Sequence, residues 1–169
     1  AGALRPAAKN VKVQVEFNPK RVGRYRLYGF EKHILKKEDF RNDSVDAAEM
    51  AAEEAGVAMY QVEPLPGGEG DIGTVSVRFQ DMETGEMVEK LWPIPYEAAP
   101  ARLAQAAPTM QLAASAAFLG EKLKGSPIGE VVELAELSGL SRGLQTVYPS
   151  NERVGHLVDM IEKAREMTR

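Results

Sequence analysis

Alternation of apolar and polar residues is the strongest pattern in the first third of the chain. The side chains of one strand divide into an apolar and a polar set: Val11, Val13, Val15 and Phe17 point one way, and Lys12, Gln14 and Glu16 the other. This period of two predicts a half-buried strand with one face in water. The dipeptide Asn18-Pro19 ends the pattern, because proline fixes φ and has no N–H for a ladder hydrogen bond.

Similar patterns predict more strands at residues 24–30, 57–62, 74–79 and 87–92. In the first of these, Tyr25 and Leu27 share one face, and Arg26 and Tyr28 share the other. The last two form a hairpin that turns at Gly85. Residues 43–56 are expected to be irregular with room for one helical turn, and the Pro- and Gly-rich residues 64–73 are expected to form a flexible loop.

From residue 100 the chain becomes alanine-rich, and its apolar residues recur with the spacing of a helix. Pro108 predicts the first turn of a helix that runs to Lys124 and is apolar nearly all round. Ser126 is expected to cap a second helix that ends at Gly139. Ser150 is expected to cap a third helix. One side of this helix is expected to be buried: Val154, Leu157, Val158 and Ile161. The other side is expected to face solvent: Glu162, Lys163, Arg165 and Glu166. The predicted class is α+β, an antiparallel β-sandwich-like sheet of about five to seven strands followed by a C-terminal bundle of about three helices.

Four segments, VKVQVEFNP, YRLYGFE, LKKEDFRND and AMYQVEP, occur in this order up to residue 64. Together they resemble an uncharacterised domain that follows the von Willebrand factor A (vWA) domain in a family of bacterial proteins. The resemblance continues through AASAAFLGEKLKGS and VVELAE. It implies that residues 1–10 are a linker from an upstream vWA domain, that 11–96 form the antiparallel β unit, and that 97–169 form a helical unit packed on it.

Composition excludes several kinds of chemistry. The 169 residues include no cysteine, so disulfides, thiolate catalysis and cysteine zinc sites are excluded. No apolar run reaches the ~20 residues that cross a bilayer, so we expect no direct membrane insertion by this segment. Residues 1–41 hold eleven Lys and Arg against four acids, and residues 42–100 hold two against thirteen. We expect these charges to compensate across the sheet rather than to bind nucleic acid.

Two motifs match catalytic fingerprints in the wrong context. Residues 68–73 match G-x-G-x-x-G, but a strand follows where a dinucleotide site needs a helix N-terminus. Residues 139–143 match G-x-S-x-G, and Ser141, Glu152 and His156 follow in the order of a hydrolase triad. A nucleophile elbow needs a strand before the serine, whereas a helix is predicted there. A hydrolase that uses Ser141 and His156 remains the alternative function.

An oxygen-rich cluster lies at Asp39, Asp43 and Asp46. Arg41 and Ser44 break the alternation that a calcium loop requires, so a solvated turn is expected. We keep the three aspartates as candidate interaction residues.

Trp92 and Tyr96 form a second candidate interaction site, an aromatic edge beside Pro93 and Pro95. His33 and His156 have no carboxylate at ligand spacing, and neither a metal nor another cofactor is expected. The metal-dependent adhesion motif of vWA domains, D-x-S-x-S, is absent from the sequence.

The sequence therefore predicts a non-catalytic accessory domain. What the resemblance implies is protein–protein interaction or adhesion at the bacterial cell envelope or in an extracytoplasmic space, while composition leaves the cytoplasm open. The implied partners are the upstream vWA domain of the same polypeptide and an unidentified protein. A further alternative is an anion-binding module that uses Lys20, Arg21, Arg24 and Arg26 in the basic first third.

Overall fold

The computed structural model describes residues 6–29, 41, 48–51 and 56–168. The chain divides into two compact units, Ala1–Ala98 and Ala99–Arg169. Strands occupy the first unit and helices the second, and every strand pair is antiparallel. This arrangement confirms the predicted α+β class.

The described part of the first unit contains six strands: β1 (Pro6–Phe17), β2 (Val22–Tyr28), β3 (Ala48–Ala51), β4 (Met59–Pro64), β5 (Gly73–Asp81) and β6 (Met87–Ile94). The first sheet has four strands in the order β3-β1-β5-β6, and the second sheet pairs β2 with β4. β3 lies inside the 43–56 segment that the sequence predicts to be irregular. Its pairing with β1 overrides the helix propensity of its alanines, which is only a weak local preference.

A β-bulge at Asn10 decides which side chains of β1 share a face. Between Lys9 and Lys12, β1 carries one more residue than β5. Asn10 has a φ of 52°, a left-handed conformation that asparagine adopts more readily than most residues. Without the extra residue, Lys9 would lie on the same face as Val13; with it, Lys9 and Lys12 share the opposite face. β1 begins at Pro6, so part of the predicted linker 1–10 belongs to the sheet.

Burial along β1 differs from the sequence pattern at two adjacent positions. Lys12 is only 3% exposed, whereas Val13 is 52% exposed. The expectation that Lys12 faces water while Val13 is covered is therefore wrong. A period of two identifies two faces of a strand, but what each face packs against depends on tertiary structure.

Aromatic side chains join the two sheets. The Phe17 ring lies 4.3 Å from the Tyr25 ring and 5.3 Å from the Tyr60 ring, measured between centroids. Tyr25 and Tyr60 come from β2 and β4, so the end of β1 packs against the second sheet. Burial is the main cause that raises the pKa of the Tyr60 hydroxyl. On the other face of β2, Tyr28 is buried and donates to Gln61 Oε1 at 2.8 Å.

Asn18 anchors the turn between β1 and β2 to the loop between β4 and β5. Its side-chain Nδ2 donates to the carbonyls of Glu69 and Asp71, each at 2.9 Å. Its Oδ1 accepts from the Lys20 amide at 3.0 Å, and its own amide donates to the Ile72 carbonyl at 2.8 Å. The segment 64–73, which the sequence predicts as a flexible loop, is thus held at several points by this one residue.

Gly73 lets β1 and β5 approach where this loop enters the sheet. A Cβ atom at Gly73 would lie 2.2 Å from the Glu16 carbonyl oxygen, a distance that no side chain tolerates. The glycines of the G-x-G-x-x-G match therefore serve close backbone approach, and the strand β5 follows them as predicted.

The second unit contains a 3₁₀ turn and four helices: Leu103–Gln105, α1 (Pro108–Lys124), α2 (Pro127–Glu130), α3 (Leu134–Val147) and α4 (Glu152–Met167). α1 has the predicted bounds and ends at Gly125, whose φ is 65°. Ser126 caps α2, as its Oγ accepts from the Gly129 amide at 3.0 Å. The expectation of one helix from Ser126 to Gly139 is wrong, because α2 is short and α3 continues through Gly139 to Val147.

The N-cap of α4 is Asn151 rather than the predicted Ser150. Its Oδ1 accepts from the Arg153 amide at 3.1 Å. The predicted stripe of Val154, Leu157, Val158 and Ile161 is buried, which confirms that part of the pattern.

Helices α1, α3 and α4 enclose the core of the second unit: Leu119, Leu134, Leu137, Leu157, Ile161 and Ala164. α1 is less central than expected, because Met110 and Leu123 are 53% and 69% exposed. Two hydroxyls differ in this interior. Ser141 donates to the Ser138 carbonyl at 3.1 Å, whereas the buried Ser115 Oγ has no hydrogen-bond partner among the described residues.

Replacing Asn18 with Ala should destabilise the first unit by about 1–2 kcal/mol, because two carbonyl oxygens lose their donor. The readout is urea denaturation followed by fluorescence of Trp92, the single tryptophan of the chain. Asn18→Asp is the matched control, since it keeps the acceptor for the Lys20 amide and loses only the donors. It should lose similar stability; an Asn18→Asp protein as stable as the parent would contradict the anchoring role.

Replacing Ser115 with Ala should stabilise the second unit by about 1 kcal/mol, because a buried, unsatisfied hydroxyl is removed from a helix. Ser141→Ala is the matched control and should be neutral or destabilising, since that hydroxyl has a partner. Thermal denaturation followed by far-ultraviolet circular dichroism measures both. A Ser115→Ala protein that melts below the parent would contradict the expectation.

Candidate functional site

The first sheet carries a partly exposed hydrophobic surface, which we call the apolar face. The strand register places its side chains on one side of β1, β5 and β6: Val13, Val15, Phe17, Val75, Val77, Phe79, Val88, Trp92 and Ile94. None of them is buried, and Val13 and Trp92 are 52% and 47% exposed. Contiguous apolar patches of this kind mark interaction sites or ligand grooves.

Two cross-strand rows give the apolar face its geometry. One row runs from Val15 through Val75 to Trp92, and the next from Val13 through Val77 to Lys90. Side chains opposite each other in antiparallel strands lie about 5 Å apart and support one another. The face is therefore a preformed surface on which Trp92 is the most exposed aromatic ring, and Lys90 supplies a cation at its edge.

The opposite face of the first sheet is polar and holds residue 41 against it. Arg41 Nη2 lies 2.8 Å from Glu89 Oε1, and Arg78 Nη1 lies 3.7 Å from Glu89 Oε2. The hydrogen bond from Arg41, together with the charges of Arg41 and Arg78, lowers the pKa of Glu89 despite partial desolvation. This face is thus committed to internal ion pairs, in contrast to the apolar face.

The structure places Trp92 and Tyr96 in different settings. Trp92 belongs to the apolar face, at its β6 edge. Tyr96 lies just beyond β6 and is 38% exposed. The Arg21 guanidinium lies 3.9 Å from the Tyr96 ring centroid, a cation–π contact. Of the two aromatic candidates, Trp92 is therefore the one that the apolar face presents.

The other predicted site residues contribute less to this surface. Asp39, Asp43 and Asp46, and also His33, lie outside the described residues. In the basic first third, Arg24 pairs with Glu63 at 2.8 Å. This cross-strand pair is an instance of the expected charge compensation across a sheet.

Arg21 is also engaged within the protein, as its Nε donates to the Gly70 carbonyl at 2.9 Å. Three of the four residues of the anion-binding alternative therefore have contacts with other side chains or the backbone: Arg21, Arg24 and Arg26, the last lying 5.8 Å from the Tyr28 ring centroid. Lys20 lies 4.0 Å from Glu69 at the surface, which neutralises part of the remaining positive charge.

The residues of the hydrolase alternative do not adopt nucleophile-elbow geometry. Ser141 is 1% exposed in the middle of α3, and its hydroxyl donates to the Ser138 carbonyl. His156 is exposed on α4. An elbow would place the serine hydroxyl at a tight strand-to-helix turn, open to substrate.

A polar network between α3 and α4 was not indicated by the sequence. Glu162 Oε1 accepts from the Ser138 hydroxyl and from Arg142 Nε, the latter at 3.0 Å. Arg165 Nη1 donates to Ser138 Oγ at 3.1 Å. The expectation that Glu162 and Arg165 only face solvent is therefore wrong. The hydrogen bond from Ser138, helped by both arginines, lowers the pKa of Glu162.

The sequence did not indicate that Val13 is exposed, because alternation alone does not show what covers a face. The one signal in the sequence was the aromatic Trp92, which lies on the same face of the sheet. Within the described residues, no three His, Asp or Glu side chains gather as a metal site would require. No helix in that part of the chain is long and apolar enough to cross a membrane.

Comparison with known proteins places the similarity in the first unit. A family model described as the C-terminal part of the uncharacterized protein YfbK matches residues 2–67. The uncharacterized protein YfbK of Escherichia coli (strain K12) is 51% identical over 49 residues, which cover 29% of this chain and 8% of that protein. The chain thus spans a small part of that relative's length. No solved structure matches.

The family match ends before β5 and β6, which begin at Gly73 and Met87. It therefore includes Val13 but not Val77 or Trp92. The similarity covers β1, β2, β3 and β4, and the apolar face combines matched and unmatched strands.

Glu162→Gln should lower the melting temperature of the second unit at neutral pH. The folded pKa of Glu162 lies below its ordinary value of 4.5. Its carboxylate therefore adds stability above that value, and this contribution is lost as the pH falls through the lower folded pKa. The parent and the variant should converge in acid. Thermal melts by circular dichroism across this range provide the measurement.

Glu166→Gln is the matched control for this experiment, since Glu166 is an exposed residue one turn further along α4. It should leave the melting temperature nearly unchanged at every pH. Equal effects of the two substitutions at neutral pH would contradict the role of the Ser138–Glu162 network.

Proposed function

We propose that this chain is a non-catalytic interaction domain whose apolar face docks a vWA domain. We further propose that it acts as an accessory to a vWA domain upstream in the same polypeptide, at the bacterial cell envelope. The vWA domain would supply any metal dependence, and the apolar face would supply hydrophobic contact area.

The observation that carries the proposal is the uneven distribution of buried side chains. Of the twelve buried hydrophobic residues among those described, ten belong to the second unit and only Val22 and Tyr28 to the first. Meanwhile Val13 and Trp92 remain about half exposed. Fully burying one exposed large apolar side chain contributes about 1.5–3 kcal/mol, so a partner that covers the exposed halves of Val13 and Trp92 gains roughly half of that from each.

The geometry of the face suits protein recognition. Its side chains are fixed by strand pairing, and therefore little conformational entropy is lost when a partner binds. Tryptophan is among the residues most enriched at binding hot spots. Lys90, beside Trp92 on the same face of β6, would orient an acidic group of the partner.

The vWA association rests on two supports. The first is the resemblance of the segments from VKVQVEFNP to AMYQVEP. The second is the similarity of residues 2–67 to the C-terminal part of a much longer protein. Both favour a domain that works beside other domains of one polypeptide. The location at the cell envelope follows from the resemblance alone.

An enzymatic role receives less support from the geometry. The hydroxyl of Ser141 is buried and already donates to a backbone carbonyl, and His156 lies exposed on α4. General base catalysis requires the base to lie within hydrogen-bond reach of the nucleophile's proton.

Trp92→Ala should weaken binding to the vWA domain of the same polypeptide by about thirty-fold, the loss typical of a hot spot of about 2 kcal/mol. The measurement is isothermal titration calorimetry of the chain against that domain, with and without Mg²⁺. Val131→Ala is the matched control, because Val131 is 77% exposed in the second unit. The control should bind like the parent.

Two outcomes would contradict different parts of the proposal. Unchanged binding of the Trp92→Ala protein would remove the apolar face as the docking surface. A complete gene product that carries no D-x-S-x-S motif before residue 1 would remove the vWA association.

A further inference from the structure

We propose that two copies of this chain pair through the outer edges of their β6 strands. The two strands would run antiparallel about a two-fold axis at Leu91, which joins two four-stranded sheets into one of eight strands. This contact lies at the edge of the first sheet and is separate from the apolar face of the proposed function.

β6 is the last strand in the order β3-β1-β5-β6, and no described residue pairs with its outer side. Two backbone hydrogen bonds identify which residues face outward. The Asp81 amide donates to the Glu86 carbonyl, and the Ile72 amide donates to the Ile94 carbonyl. Even-numbered residues of β6 therefore direct their backbone groups toward β5. Odd-numbered residues direct theirs to the free edge: Met87, Glu89, Leu91 and Pro93.

This edge lacks most of the devices that prevent strand pairing. β6 has eight residues and pairs with β5 without a bulge. The charge of Glu89 is compensated by Arg41 and Arg78 on the polar face. Pro93, near the C-terminal end of the strand, and Lys90 are the residues that work against pairing at this edge. Protected edges are typically short, bulged or charged. β6 is neither short nor bulged, and its two charges, Glu89 and Lys90, are of opposite sign.

The exposed side chains of β6 cover both faces of such a seam. Leu91 on the polar face is 62% exposed, and Trp92 on the apolar face is 47% exposed. An added strand would shield both at once. A partner that covered only one face of the sheet would leave one of them in water.

The side chains that meet across the seam favour a second copy of this chain as the partner and favour one pairing register. In antiparallel pairing centred on Leu91, Lys90 lies opposite Trp92 of the other copy, and Val88 lies opposite its Ile94. Each of these pairs is favourable, the first as a cation beside an aromatic ring and the second as two apolar side chains. Because the axis is two-fold, every such pair occurs twice.

Neighbouring registers that keep the faces aligned are worse. Centring on Lys90 or on Glu89 places like charges directly opposite each other, which destabilises a strand pair. Centring on Trp92 shortens the overlap, since β6 ends at Ile94. In the Leu91 register, the Leu91 amides and carbonyls of both copies bond each other, and each Glu89 amide reaches the Pro93 carbonyl of the other copy.

Analytical ultracentrifugation of the 169-residue chain tests the contact. The average mass should rise with concentration, with a dissociation constant on the order of 0.1 mM because the seam is small. Leu91→Lys places two like charges on the axis and should raise that constant about ten-fold or more. Leu123→Lys, at a residue that is 69% exposed in the second unit, is the matched control and should not change it.

Cysteine cross-linking tests the register. Because the sequence contains no cysteine, any disulfide must form between the introduced residues. Two Leu91→Cys chains should form a disulfide dimer, because a hydrogen-bonded antiparallel pair has Cα atoms about 5.5 Å apart, within disulfide range. Met87→Cys is the control on the same edge. In this register its two copies lie roughly 27 Å apart along the strands, and no dimer should form.

Three results would overturn the proposal. One is a monomer at every concentration up to the millimolar range, which would leave the edge to a strand of a different protein. Another is equal cross-linking of the Leu91→Cys and Met87→Cys chains. The third is a dimer that Leu91→Lys leaves intact while circular dichroism shows the variant folded.

Discussion

The pairing of β1 with β5 is the constraint on which the first unit depends. Its register is set at one end by the bulge at Asn10 and at the other by the close approach of Gly73 to Glu16. That register places Phe17 against the rings of the second sheet. It also aligns Val13 and Val15 with Val77 and Val75, which makes the apolar face continuous. A shift by one residue would exchange the two faces of β1.

The two faces of the first sheet differ in how their requirements are met. The polar face satisfies its charges internally, with Glu89 between Arg41 and Arg78. Charged groups at a partly covered site need such partners, because desolvation without a partner is costly. The apolar face needs no specific partner atoms, only removal from water. It can therefore stay open in one state of the protein and be covered in another, whereas the polar face cannot.

The pattern of the sequence was sufficient for β1, β2, β4, β5 and β6, for the bounds of α1 and for the buried stripe of α4, but not for β3. It failed where tertiary packing overrode a local sequence signal. Gly139 looks like a helix stop, but burial of Leu134, Leu137 and Leu144 continues α3 past it. The bulge at Asn10 has no signature in alternation, so Lys9 was placed outside the sheet. Trp92 was identifiable as a candidate from composition, while the exposure of Val13 was not, because period alone does not reveal what covers a face.

The contrast between the two units is the physical basis of the proposed interaction role. The second unit encloses its own core, with Ile161 fully buried among leucines of α1, α3 and α4. In the described part of the first unit, apolar residues line one face of a sheet on which none is buried, and Val13 and Trp92 are about half exposed. A sheet of this kind gains free energy from any polypeptide that shields it, in proportion to the apolar area removed from water. The strand pairing that fixes Trp92 and Leu91 thus also leaves them exposed, and the apolar area of the described strands is what the proposed binding would cover.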